Sequence, residues 1–184
     1  MFNEKSKKKE TLFIVPFEDV PLEMLDKISS AVSDQMPLQC RITEPEEIPD
    51  EAFNLKRNQF ISDVILKHLR DKYAGPGCRV LGVVEDDLYT ANMNFIFGQA
   101  DVVSAVALIS LARLMPHIDS LKGAEGIVFR RALIEAIHEL GHTYGLKHCS
   151  NPECVMFFSN SLRDTDMKTR KFCARCMHQI REKW

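Results

Sequence analysis

The sequence predicts an α/β domain: a mixed, mostly parallel twisted sheet, a helix that carries the chemistry, and a small cysteine-rich lobe behind it. Three observations lead there. Strand-like and helix-like segments alternate as strand–helix–strand–helix–strand, an order that brings successive strands back parallel through right-handed crossovers. Residues 101–110 (DVVSAVALIS) form an almost continuous apolar run, the pattern of a central strand covered on both faces. A helical pattern over residues 127–144 then gives way to irregular chain holding four cysteines between positions 149 and 176. At 184 residues with 45% apolar content, the chain makes one domain with one sizeable core. Its expected organisation is a charged, disordered tail (1–10) and a single folded unit (11–184). That unit divides into an α/β part ending in the helix (11–145) and a C-terminal lobe (146–184).

The elements follow in order. Residues 11–17 (TLFIVPF) read as a buried strand. Residues 21–36 place Leu22, Leu25, Ile28, Ala31 and Val32 on one helical stripe. Residues 38–43 alternate and form a second strand. Residues 58–73 return to helical spacing with Phe60, Ile61, Val64, Ile65, His68 and Leu69, which puts His68 at the edge of the core. Residues 79–84 make a third strand. Residues 92–97 are a short one, in which polar Asn92 and Asn94 alternate with Met93 and Phe95, as in an edge strand with one face covered. Cys40 and Cys78 fall in apolar strands and read as small buried hydrophobes. Residues 173–183 end the chain in a short helix carrying His178.

The run His138-Glu-Leu-Gly-His-Thr-Tyr-Gly-Leu-Lys-His148 carries the chemistry. His138 and His142, four apart on a helix, share a face one turn apart and can hold one metal ion. Glu139 projects beside that metal without binding it, where a carboxylate can take a proton from water. A third ligand ten residues after the first would lie about 15 Å along a straight helix, so the helix must break. Gly145, free to adopt positive φ, suits the break, and the chain can fold back to bring His148 in. Three protein nitrogens leave a fourth tetrahedral position open, the mark of a catalytic zinc site. Zinc there lowers the pKa of water to about 7.

Cys149, Cys154, Cys173 and Cys176 follow as C-x4-C-x18-C-x2-C, a spacing that suits a structural zinc. A disulfide framework is the competing reading. It needs an oxidising compartment, and the charged opening MFNEKSKKKE has no apolar stretch behind it to serve in export. Together the two groups imply two Zn2+ per chain, one catalytic and one structural. Because His148 and Cys149 are adjacent, successive side chains can face opposite ways, one to each metal.

HELGHTYGLKH resembles the metzincin clan of metalloproteases. The continuation, Cys149 directly after the third histidine, then Cys154, Met156 and the pair Cys173–Cys176, resembles the archaemetzincins. The motif covers about a fifth of the chain, and the segment NFIFGQ (94–99) resembles the family more loosely. The resemblance implies a metzincin-like three-layer domain and the two zinc sites just described. It also implies that Met156 lies in a Met-turn beneath the active site, and that an antiparallel edge strand lines the cleft. Residues 92–97 are the expected edge strand, with Asn92, Asn94 and Phe95 as substrate contacts. Some metzincins carry a metal-reaching tyrosine two residues after the Met-turn methionine. Here that position is Phe158, so no phenol comes from it. Tyr144 is a candidate by proximity, with packing under the helix as the alternative.

Composition sets the outer limits. A net charge of −2 and the lack of a basic, aromatic-interleaved surface exclude a nucleic-acid module. No segment reaches the roughly 20 apolar residues of a membrane span. The reading is a cytoplasmic zinc peptidase acting on peptides or proteins, favoured as a monomer. The alternative from another class is a zinc-stabilised binding protein that keeps the motif without proteolysis.

Overall fold

A computed structural model describes residues 9–115 and 124–184. Most of the tail expected over residues 1–10 lies outside the described residues. Glu10, assigned to that tail, instead opens the first strand.

The main sheet has five strands: β1 (Glu10–Pro16), β2 (Leu38–Ile42), β5 (Cys78–Val84), β8 (Gly98–Asp101) and β9 (Val106–Ser110). Their order is β2-β1-β5-β9-β8; the first four run parallel, and β8 pairs antiparallel with β9 at the edge. Three helices cover the sheet: α1 (Leu22–Ser33), α2 (Ser62–Tyr73) and α3 (Ala124–Thr143). Strand alternation sorts the core into two layers. Leu12, Ile14, Leu81, Val83, Ala107 and Ile109 face one side, where α1 and α3 pack. Val15, Val80, Val84, Val106 and Leu108 face the other, against Ile65, Leu66 and Leu69 of α2. These strands are buried on both faces, as a parallel sheet between helices requires.

A second, four-stranded sheet was not expected. It consists of β3 (Phe53–Asn54), β4 (Gln59–Ile61), β6 (Leu88–Thr90) and β7 (Met93–Ile96), in the order β3-β4-β6-β7. Three expectations change. Residues 59–61 are strand, so α2 begins at Ser62 and not at residue 58. The short strand expected over 92–97 is β7, but it forms the edge of this second sheet. The antiparallel edge of the main sheet is β8. Finally, residues 101–110 are not one central strand: Asp101 ends β8, a turn with exposed Val102 and Val103 follows, and β9 begins only at Val106. Cys40 and Cys78 are half-buried on their strands, not sealed in the core.

Beyond α3 the chain holds α4 (Leu162–Met167) and α5 (Ala174–Arg181). Val155, Met156, Phe172 and Ile180 from this region pack into the same core layer as α3. Arg131 on α3 clasps Asp166 on α4 through two parallel contacts, Nε–Oδ1 at 2.8 Å and Nη2–Oδ2 at 2.7 Å. Such a paired guanidinium–carboxylate contact fixes geometry as well as adding energy. No helix among the described residues is long and apolar enough to cross a membrane.

Candidate active site

The three histidines converge. His138 and His142 lie one turn apart on α3, with their Nε2 atoms 3.1 Å apart. His148 joins them, its ring 5.4 Å from that of His138 and 4.8 Å from that of His142. A tetrahedron with bonds of about 2 Å has edges of about 3.3 Å, so this spacing suits zinc. The remaining ring nitrogens set the orientation. His138 Nδ1 lies 2.7 Å from the carbonyl of Val155, and His142 Nδ1 lies 2.7 Å from that of Leu146. Each Nδ1–H donates to its carbonyl, which leaves the Nε2 lone pair for a metal. Burial lowers the pKa of all three imidazoles and so favours the neutral, ligating form.

The turn after α3 explains how His148 arrives. Gly145 has φ of 81°. Its N–H donates to His142 O at 2.7 Å, and Leu146 N–H donates to Gly141 O at 3.2 Å. This is a Schellman stop. It also fixes the Leu146 carbonyl that orients His142. Thus the glycine both ends the helix and helps orient His142. At the same helix end, Arg79 of β5 donates through Nη1 to Thr143 O and Thr143 Oγ1 at 2.8 and 2.9 Å. A cation there favours the negative end of the helix dipole. Arg79 stacks over Tyr144, and both bond to Glu10. Tyr144 OH is therefore engaged with Glu10, consistent with packing under the helix and not with a role at the metal.

Glu139 is 6% exposed and lies directly under β8. A Cβ on Gly98 would fall 2.6 Å from Glu139 Cγ and 2.9 Å from Leu108 O, so only glycine allows the strand this close. Burial pushes the Glu139 carboxyl well above the ordinary carboxylate range; repulsion by Glu135 adds to this and Lys168 offsets it. Above the histidines runs a cleft of about 360 Å³. Its walls are Phe95 and Gly98–Ala100 on one side and Phe158–Asn160 on the other, with His138, Glu139, His142 and His148 at its base. Of the expected substrate contacts, Phe95 lines this cleft, but Asn92 and Asn94 do not. Met93 and Phe95 of β7 line it, and by strand alternation Asn94 points the other way, while Asn92 lies in the turn before β7. The free edge over the cleft belongs to Gly98–Asp101.

Met156 is fully buried, and Gly141 on α3 leaves the room it occupies. Cys149, Cys154, Cys173 and Cys176 form a second convergent group, with ligand atoms within 4.8 Å of one another. Cys149 Sγ and Cys173 Sγ are 3.8 Å apart. A disulfide would hold its sulfurs at about 2 Å, so this pair is not one. Zinc–sulfur bonds of about 2.3 Å give a tetrahedron with edges of about 3.8 Å, the separation found. The chemistry of both donor sets thus fits zinc. Cys149 is buried while His148 is exposed toward the cleft, the opposite facing expected from their adjacency. His178 is exposed beside Glu182 and takes no part in either group.

A model of peptidase family M54 matches residues 17–182. The archaemetzincin of Methanocaldococcus jannaschii is 41% identical over 172 residues, covering 92% of each chain. The chain belongs to this family of archaemetzincins. That of Pyrococcus furiosus is 39% identical, covering 95% of this chain and 94% of the other. Among solved structures, the archaemetzincin of Methanopyrus kandleri superposes with a TM-score of 0.84 at 32% identity, over 95% of each chain. The Archaeoglobus fulgidus archaemetzincin, crystallised with malonate, gives 0.79 at 32% identity over 92% of this chain and 99% of that one. Family membership makes the chain a zinc metallopeptidase acting on peptides or proteins.

Sequence reasoning missed Arg79, Gly98 and the buried pair Glu135–Lys168, whose Nζ and Oε1 are 3.1 Å apart. Only Glu135 left a readable signal, at three and four residues before His138 and Glu139 on the same helix face.

Proposed function

We propose that the chain hydrolyses peptide bonds with one zinc held by His138, His142 and His148, and that a second, structural zinc is held by Cys149, Cys154, Cys173 and Cys176. The observation that carries this reading is the placement of a buried Glu139 carboxylate beside three imidazoles, two of which already commit their Nδ1 atoms to backbone carbonyls. When bound, zinc supplies Lewis acidity to the scissile carbonyl and to water. Glu139 takes the proton of the attacking water and returns it to the leaving amine. An extended substrate adds its backbone to the free edge of β8, with Phe95 and Phe158 flanking its side chains. The thiolate zinc pins residues 146–184 as a lobe. Its Cys154 neighbours Val155, whose carbonyl orients His138, and its Cys149 neighbours His148, so the lobe holds two of the three ligands in place. Unpaired thiols suit a reducing compartment, hence the cytoplasm. A cleft complete within one chain suits a monomer.

The test is turnover of a diverse peptide library by zinc-loaded protein and by Glu139→Ala. Removing the proton carrier should cost at least about a hundredfold in turnover while metal content and melting stay unchanged. Wild-type turnover by Glu139→Ala would remove the assigned base, and folded, zinc-loaded parent that cleaves nothing would favour a binding protein.

A further inference from the structure

Glu135 lies one turn before His138 on the same face of α3, about 4.5 Å along the axis. It lines the cleft, yet it is only 3% exposed. Both of its partners meet the same oxygen: Thr165 Oγ1 donates to Oε1 at 3.1 Å, and Lys168 Nζ lies 3.1 Å from Oε1. Lys168 Nζ, although at ion-pair distance, makes no hydrogen bond to the carboxylate, and no hydrogen bond among the described residues reaches Oε2. That oxygen is also absent from the polar atoms sealed away from solvent without a partner, so it opens on the cleft. A carboxylate oxygen in a buried wall needs a donor, and leaving it dry is costly. The walls around it carry apolar Phe95, Phe97, Val102 and Phe158 beside the polar Thr90, Gln99, Ser159 and Asn160.

We propose that Glu135 is a specificity-determining residue of the cleft, selecting a substrate side chain with an apolar stem and an uncharged hydrogen-bond donor at its tip, as in glutamine. This rests on the reading that the cleft holds a peptide. The stem fills the apolar walls, and the tip donates to Oε2. A cationic tip gains less, because Lys168 already neutralises Glu135 and the second cation must be desolvated without a counter-charge of its own. An anionic tip meets Glu135 and Glu139. A purely apolar chain leaves Oε2 dry.

The test uses zinc-loaded Glu139→Gln, which binds without turnover, and a hexapeptide series carrying glutamine, norleucine, lysine or glutamate at each position in turn. Binding is read by calorimetry. At one position glutamine should bind about tenfold more tightly than norleucine, the value of one hydrogen bond to a charged acceptor, with lysine and glutamate weaker still. The added pair Glu135→Leu/Lys168→Met removes both charges and keeps an apolar filling; there the preference should fall within about twofold or reverse. Equal binding of glutamine and norleucine at every position of the protein with Glu135 intact overturns the inference, whether or not the double substitution folds. So does a preference that survives in the folded double variant. Discrimination in binding without any turnover by the parent would sink the hydrolytic reading and leave this one standing; failure to bind any peptide overturns both.

Discussion

Burial moves Glu139 and the three histidines in opposite directions, and each shift suits the role proposed for it. A carboxylate raised well above its ordinary pKa of about 4.3 is a stronger base, but it becomes protonated, and so inactive, at a higher pH than usual. Imidazoles lowered below about 6.5 stay neutral and ligating as the pH falls. In the metal-free protein the Glu139 carboxyl should therefore titrate above the ordinary carboxylate range; bound zinc opposes that shift, so the acid limb of kcat/KM should lie below the metal-free titration, at a pH where zinc content is still full. Parallel assays of rate and bound metal check this; loss of rate and zinc together would assign the limb to the ligands. Gly98 is the second residue-scale test. In Gly98→Ala the new methyl must push against Glu139 and against the backbone oxygen of Leu108, which cannot move aside without the strand. A stability loss of about 1–3 kcal/mol and at least a tenfold fall in kcat/KM are expected, read by thermal melting and peptide assay. A variant that melts and turns over like the parent would show that β8 is not pressed onto Glu139.

At the level of elements, the ligand helix and its stop were legible, because spacing and a single glycine carry the whole signal. The convergence of His138, His142 and His148 and the turn at Gly145 could be read off, and the Schellman bonds supply only the detail. The strand above the cleft was not legible. Gly98, Gln99 and Ala100 have little strand preference of their own, and β8 exists because β9 pairs with it across a turn that holds Ala105 at positive φ. Residues 92–97 look more like an edge strand and are one, but their partner is β6, which no local pattern announces. In the same way, Lys168 has no readable link to Glu135, thirty-three residues before it; only the packing of the lobe against α3 joins them. The corrected edge gives a prediction. Proline scanned through a cleaved peptide should hurt at alternate positions, where the lost N–H would have faced β8. Cleavage-site mapping by mass spectrometry reads it, and uniform tolerance would mean that the substrate is not held as a strand.

Across the whole molecule, the two metal groups share one loop. Cys149 directly follows His148, and Cys154 directly precedes the segment that returns to the helix, where Val155 O meets His138 and Met156 packs against Gly141. Loss of the thiolate metal should therefore loosen the catalytic one. Cys173→Ser should lower the melting temperature and weaken zinc binding at the histidines, measured by metal titration; a variant that melts like the parent would deny the cysteine group a structural part. The two sites should also differ in lability. Four thiolates close a tetrahedral shell, whereas three histidines under an open cleft leave a chelator a way in. The account is tested most directly by measuring peptide turnover and zinc per chain together during chelation and zinc return. It predicts two zinc ions in the intact protein, loss of turnover with departure of the more labile one while the fold persists, and recovery of both on adding zinc. A content of one zinc that stays at one in excess metal, or full turnover after the labile ion has gone, would contradict it.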